Sequence, residues 1–134
     1  MNKPVTVIDA ESNSTEYGYD EKGSLIKITD AQNNVIIYSY DEYGRMISME
    51  DARNNTWSYN YDAEGRLLST TDPLTNTRSS VYNSMGWLTS ATDAKSATTT
   101  YEYDPMGRTT QVVDAYQKSL TWYRVCGQTE HQIK

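Results

Sequence analysis

The chain has 134 residues and a mass of 15.3 kDa, room for one domain. Its 12 Lys and Arg stand against 18 Asp and Glu, and the net charge of −6 argues against docking on nucleic acid phosphates or anionic lipid. No apolar run exceeds four residues (Val35 to Tyr38), which leaves no membrane-spanning helix and no apolar segment of a signal peptide, and a lone Cys126 excludes an intrachain disulfide.

Taken in chain order, the elements are short strands separated by turns, and no stretch has the period of a helix. Val5 to Ile8 matches Ile26 to Thr29, so the chain opens on the second strand of a two-strand unit. The next segment places Thr15, Tyr17 and Tyr19 on one face and Ser14 and Glu16 on the other, an alternation of period two. Ile36, Tyr38 and Tyr40 repeat that face, then Trp57, Tyr59 and Tyr61, and Tyr82, Tyr101 and Tyr103 hold matching positions further on. Between them lie segments of a second kind, holding Ile26 and Ile28, Ile47 and Met49, Leu68 and Thr70, or Thr110 and Val112.

The period is 21 residues. Tyr19-Asp20-Glu21-Lys22-Gly23 recurs at Tyr40 to Gly44, Tyr61 to Gly65, Tyr82 to Gly86 and Tyr103 to Gly107. A second anchor, Asp9, Asp30, Asp51, Asp72, Asp93 and Asp114, keeps the same step, and the first four copies end in Asn13, Asn34, Asn55 and Asn76. A repeat of this length marks an array of supersecondary units. The array is assigned to residues 1–127, about six units with the first and last incomplete, followed by a polar tail at 128–134. Tyr123 to Gly127 comes after a step of 20 and lacks the Asp, and neither end reads as a cap.

The first turn has a mechanism. Asp20, Asp41, Asp62, Asn83 and Asp104 open a type I turn and bond back to the backbone, and Gly23, Gly44, Gly65, Gly86 and Gly107 supply positive φ three residues later. Two registers satisfy this spacing. A three-residue loop with a bulge sets Tyr19 opposite Leu25, whereas a four-residue loop sets it opposite Ser24. The second would also place Tyr40, Tyr61 and Tyr103 opposite Arg45, Arg66 and Arg108, with a guanidinium over each ring.

Tyr-Asp-x-x-Gly-Arg followed by an aliphatic residue, as in Tyr40 to Met46 and Tyr61 to Leu67, resembles the YD repeat of the Rhs family. Asp72-Pro73 and the Tyr59-Asn60-Tyr61-Asp62 string resemble the same family, and the likeness covers residues 2–127. The fourth unit departs from it, with Asn83 for Asp, Ser80 for the preceding Tyr and Trp87 for Arg, and the glycine expected in the second turn is mostly replaced by Asn. The resemblance implies an all-β fold of tandem 21-residue β-hairpins forming one curved antiparallel strip, about eleven or twelve strands in a shell-like wall. In bacterial Rhs and insecticidal toxin-complex proteins such a shell encloses a toxin, and in teneurins a related shell supports adhesion. Members are typically secreted or at the cell surface. No self-cleaving segment or toxin domain is recognisable here.

The chemistry to be weighed is sparse. His131 is the only histidine, so no Ser-His-Asp set can be built, and Cys126 with His131 makes a poor case for a cysteine nucleophile. Successive Asp rows stand two strands apart, about 9 to 10 Å, too far to share a metal ion. No catalytic, cofactor or metal site is predicted. The aromatic face, Tyr17, Tyr19, Tyr38, Tyr40, Trp57, Tyr59, Tyr61, Tyr82, Tyr101 and Tyr103, is expected to pack on other repeat segments or an enclosed polypeptide, with open strand edges favouring self-association. The alternative is a carbohydrate-binding or adhesion module that stacks glycans on those rings.

Overall fold

The computed structural model describes residues 4–125 and 128–133. Among the described residues there are thirteen strands and no helix. They are β1 (Val5–Ile8), β2 (Ser14–Tyr19), β3 (Leu25–Thr29), β4 (Val35–Tyr40), β5 (Met46–Glu50), β6 (Thr56–Tyr61), β7 (Leu67–Thr71), β8 (Thr77–Tyr82), β9 (Leu88–Thr92), β10 (Thr98–Tyr103), β11 (Thr109–Val113), β12 (Ser119–Val125) and β13 (Gln128–Ile133). Each strand pairs with its neighbours in the chain, so the sheet order is the sequence order. Where the sequence shows only a polar tail, β13 pairs antiparallel with β12, Val125 opposite Gln128 and Leu120 opposite Ile133. By compactness the chain divides into two units, Met1–Arg66 with Thr70–Thr75, and Leu67–Ser69 with Asn76–Lys134.

In the first unit the cross-strand partners carry the apolar face from strand to strand. Val5, Tyr17, Ile28 and Ile36 form one row across β1 to β4. Tyr38, Met49 and Trp57 form the next across β4 to β6. Cross-strand aromatic and aliphatic pairs of this kind are the unit of sheet stabilisation, each contributing roughly 0.2 to 1 kcal/mol. The other face is polar, with Ser39, Ser48 and Ser58 in one row, but Ile37 stands on it 44% exposed.

In the second unit the corresponding rows are Ser80, Ala91 and Thr99, then Tyr101, Val112 and Leu120. The fourth repeat's departure from the pattern is thus a whole row of small side chains. On the opposite face Gln111 donates its amide to Ser119 Oγ at 2.8 Å.

The hairpin register is the bulged one. Gly18 pairs with Lys27 and Tyr19 with Leu25, so Ile26 is the extra residue of a β-bulge. The same shift sets Tyr40 opposite Met46, Tyr82 opposite Leu88 and Tyr103 opposite Thr109. Facing pairs of Tyr40 with Arg45 and of Tyr103 with Arg108, which the four-residue loop would give, are therefore not formed.

Among the described residues none is fully buried, polar or apolar. One layer of sheet cannot remove its own faces from water, so partial cover comes from neighbours along the row.

Candidate functional site: the turn and tyrosine ladders

Each repeat carries two turns built the same way. In the first, Gly23 N–H donates to the Asp20 carbonyl at 3.1 Å and Asp20 N–H to the Ser24 carbonyl at 2.9 Å, while Asp20 Oδ1 accepts the N–H groups of Lys22 and Ser24 at 2.9 and 2.8 Å. One carboxylate oxygen thus satisfies two backbone donors inside the loop, the role that makes Asp a turn residue. The pattern recurs at Asp41, Asp62, Asn83 and Asp104, and Gly23, Gly44, Gly65, Gly86 and Gly107 lie at φ between 79° and 89°.

The second turn has the same bonds without glycine. Asn33 N–H donates to the Asp30 carbonyl at 3.0 Å, and Asp30 Oδ1 accepts from Gln32 and Asn34 at 2.8 Å each. The residues at positive φ are Ser12, Asn33, Asn54, Thr75, Ser96 and Gln117, at 60° to 68°. Asparagine therefore takes the glycine place in only two of these six turns. The Asn that the sequence displays, at 13, 34 and 55, stands one residue later and acts differently. Its side-chain amide donates to the second oxygen of the turn aspartate, at 3.0, 2.7 and 2.8 Å.

Arginine takes that place in the first turn. Arg45 Nε donates to Asp41 Oδ2 at 2.6 Å and Arg108 Nε to Asp104 Oδ2 at 2.6 Å, and Arg66 pairs with Asp62 likewise. These donors set the ionisation of the turns. The Asn13, Asn34 and Asn55 amides, with the backbone N–H groups beside them, hold Asp9, Asp30 and Asp51 below the usual carboxylate value of 3.8. The Arg108 guanidinium does so for Asp104. At Asp41 and Asp62 partial desolvation works in the opposite direction and is outweighed by backbone and guanidinium donors.

A second ladder joins successive repeats. Tyr40 Oη donates to the Leu25 carbonyl at 2.9 Å, Tyr61 Oη to Met46 at 3.0 Å, Tyr82 Oη to Leu67 at 3.2 Å and Tyr103 Oη to Leu88 at 2.7 Å. Each acceptor lies 15 residues back, at the bulge of the preceding hairpin. Phenylalanine could cover the same area but could not reach that carbonyl, and the chain contains twelve Tyr and no Phe. That composition is the sequence's signal for the ladder, which periodicity alone does not expose. Desolvation, with Tyr38 and Asp20 nearby, raises the Tyr40 hydroxyl above its usual value of 10.0 and keeps it a donor.

The residue after the turn glycine covers the next repeat at Arg45 and Trp87. The Arg45 guanidinium lies 5.1 Å from the ring centroid of Tyr61 and 5.0 Å from that of Tyr43, and Arg45 Nη1 donates to the Asp62 carbonyl at 2.7 Å. In the second unit Trp87 packs on Tyr103, with centroids 5.4 Å apart. It also closes over Gly107, where an added Cβ would stand 2.9 Å from the indole.

The ten aromatic residues therefore fall into two sets. Tyr40, Tyr61, Tyr82 and Tyr103 use their hydroxyls between units, whereas Tyr17, Tyr38, Trp57 and Tyr101 pave the half-exposed apolar rows, with Tyr19 and Tyr59 on the same strands. Open grooves run beside the turns, one lined by Asp20, Lys22, Ile26, Ile37, Tyr38 and Tyr40. Among the described residues no group of three or more His, Cys, Asp or Glu is placed to hold a metal ion. Cys126 and Gly127 lie outside the described residues, as do Met1 to Lys3.

The model of the teneurin YD-shell family matches residues 1–124. No curated protein sequence matches the chain. Similar solved structures include the crystal structure of TcdB2–TccC3 with Cdc42, at a TM-score of 0.64 and 18% identity over 83% of this chain and 6% of that one. The Tc holotoxin pore of Photorhabdus luminescens gives a TM-score of 0.60 and 19% identity over 81% of this chain and 6% of that one. A further crystal structure, TcdB2–TccC3–TEV, gives 0.55 and 14% over 90% and 9%. At such identities the likeness is one of fold, and the chain spans a small fraction of the length of each structure.

Proposed function

This chain belongs to the teneurin YD-shell family, and on that premise we propose that it is a non-enzymatic segment of shell wall whose Tyr-rich face packs on other repeat segments or on an enclosed polypeptide. One observation carries the reading: no described residue is fully buried, although the face formed by Val5, Tyr17, Ile28, Ile36, Tyr38, Met49 and Trp57 is apolar from strand to strand. Apolar surface of that extent is what a covering partner removes from water. The tyrosine and the turn Asp or Asn that recur along the repeats, with Arg at 45, 66 and 108, are engaged in holding turns and joining repeats, which supports a structural role. Glycan docking on the same rings gains nothing from the comparisons, and four of the ten rings are already engaged between units.

The test is binding of an apolar fluorescent dye to the folded chain at neutral pH. Strong binding by the parent chain, lost in Ile36→Lys and Trp57→Glu variants that keep their β-sheet circular dichroism, is the expected result. A folded chain that leaves the dye dark would overturn the reading.

A further inference from the structure

We infer that Met85 and Met106 form a sacrificial oxidation site, taking up hydrogen peroxide as methionine sulfoxide without disturbing the fold that carries them. Both side chains lie at glycine-turn tips, outside the apolar rows that the shell-wall reading requires to be covered.

The chain has five methionines, and the sheet sorts the four that are described into two classes. Met85 and Met106 are each the third residue of a glycine turn, in consecutive repeats, and are 67% and 78% exposed. Met85 N–H donates to Asn83 Oδ1 at 3.0 Å and Met106 N–H to Asp104 Oδ1 at 2.9 Å, bonds in which the thioether has no part. The same place holds Lys22, Tyr43 and Glu64 in the other repeats. A turn that accepts an ammonium, a phenol or a carboxylate there accepts a polar sulfoxide as well. Met46 and Met49 are placed otherwise, half-buried on β5. Met46 stands opposite Tyr40, and Met49 lies between Tyr38 and Trp57 in the apolar row. A sulfoxide at either would set a polar group among the side chains that stabilise the sheet.

Methionine reacts through a sulfur lone pair, which attacks one peroxide oxygen as the O–O bond breaks. The sulfur is oxidised to the sulfoxide, and the second oxygen leaves as hydroxide and takes up the proton of the first to become water. Reactivity therefore follows access to the sulfur, which is greatest at 85 and 106. The fold also brings these two residues to one place. Met85 comes two residues before Trp87, and Met106 precedes Gly107, over which the indole closes. The two thioethers thus stand in the turns that the indole bridges, beside the ring pair of Trp87 and Tyr103.

In the experiment the full chain is treated with hydrogen peroxide at one equivalent per exposed thioether, and the sulfoxides are located by mass spectrometry of its peptides. Met85 and Met106 are expected to carry at least about fivefold more sulfoxide than Met46 and Met49, and the oxidised chain to melt within about 1 °C of the untreated one. The double variant M85L/M106L lacks both exposed sulfurs, so the same dose falls on β5. Its Met46 and Met49 are then expected to be oxidised, and its melting temperature to drop by about 3 °C or more. Sulfoxide spread evenly over the four positions overturns the inference, as does a lowered melting temperature for a parent chain oxidised only at 85 and 106. So does a double variant that comes through the dose with its melting temperature unchanged, since the two thioethers would then have spared nothing.

Discussion

The Trp87 ring packs against Tyr103 of the following repeat, 5.4 Å between centroids and tilted by 45°. Two repeats earlier the Arg45 guanidinium covers Tyr61 from 5.1 Å. Indole and guanidinium are both flat groups that cover a phenol ring, so one substitutes for the other. The charge beneath changes with it: Arg45 pairs with Asp41, whereas the residue at the same place before Trp87 is the neutral Asn83. Trp87→Ala is expected to cost about 1 to 3 kcal/mol, less than a fully buried indole. Trp87→Arg recovers little of this alone and most of it together with Asn83→Asp. Urea melts of the four proteins decide the matter, and an unchanged midpoint for Trp87→Ala would refute the contact.

The glycine turns separate two costs. At Gly44, φ 80°, a new Cβ meets nothing within 4 Å, so Gly44→Ala carries backbone strain alone, about 1 kcal/mol. At Gly107, φ 79°, the same Cβ would stand 2.9 Å from the Trp87 ring, and Gly107→Ala is expected to cost about 2 to 3 kcal/mol. In a Trp87→Ala background the second cost should fall to the first. Equal effects of Gly107→Ala in both backgrounds would show that the indole does not crowd this turn.

Much of this architecture is legible in the residues because strand alternation, turn residues and period agree with one another. The all-β class and the two-strand unit follow from Tyr17, Tyr19, Ile26 and Ile28 alone. Register is harder, because loops of three and four residues both suit Asp20 and Gly23, and the bulge at Ile26 leaves no mark in the composition. The left-handed residues of the second turn are hidden for a related reason. Asn34 draws attention, but its work is done by its amide on Asp30, and the positive φ belongs to Asn33. Arg45 is misread by adjacency: the bulge sets Tyr40 opposite Met46, and the guanidinium lies over Tyr61 of the next repeat and Tyr43 of its own turn.

Tyrosine in the ladder is expected to be distinguishable from phenylalanine. Tyr61→Phe keeps the ring beneath Arg45 and removes only the bond to the Met46 carbonyl, a loss of about 1 kcal/mol. Tyr40→Phe and Tyr103→Phe act alike at Leu25 and Leu88. Tyr59 lies two residues before Tyr61 on β6 and outside the ladder, so it serves as the comparison. Tyr59→Phe should lie within about 0.5 kcal/mol of the parent. Equal melting temperatures for Tyr59→Phe and Tyr61→Phe would remove the ladder as a source of stability.

Acid should loosen the turns in a way that a single side chain controls. The Asn34 amide is the largest influence holding Asp30 below 3.8, so the folded chain binds this proton less readily than the unfolded one. A depressed carboxylate contributes stability that is fully present above the unfolded value and is lost as the pH falls through the folded one. Asp9, Asp20, Asp41, Asp51, Asp62, Asp93 and Asp104 shift in the same direction, so the losses accumulate in one window. The melting temperature is therefore expected to be level from pH 7 to about 5 and to drop below about 4. Asn34→Ala removes the amide, so it should melt lower than the parent at pH 7, and the difference should narrow as the pH falls through the carboxylate range. A difference between the two proteins that stays constant from pH 7 to pH 2 would mean that Asn34 acts through packing and not through the carboxylate.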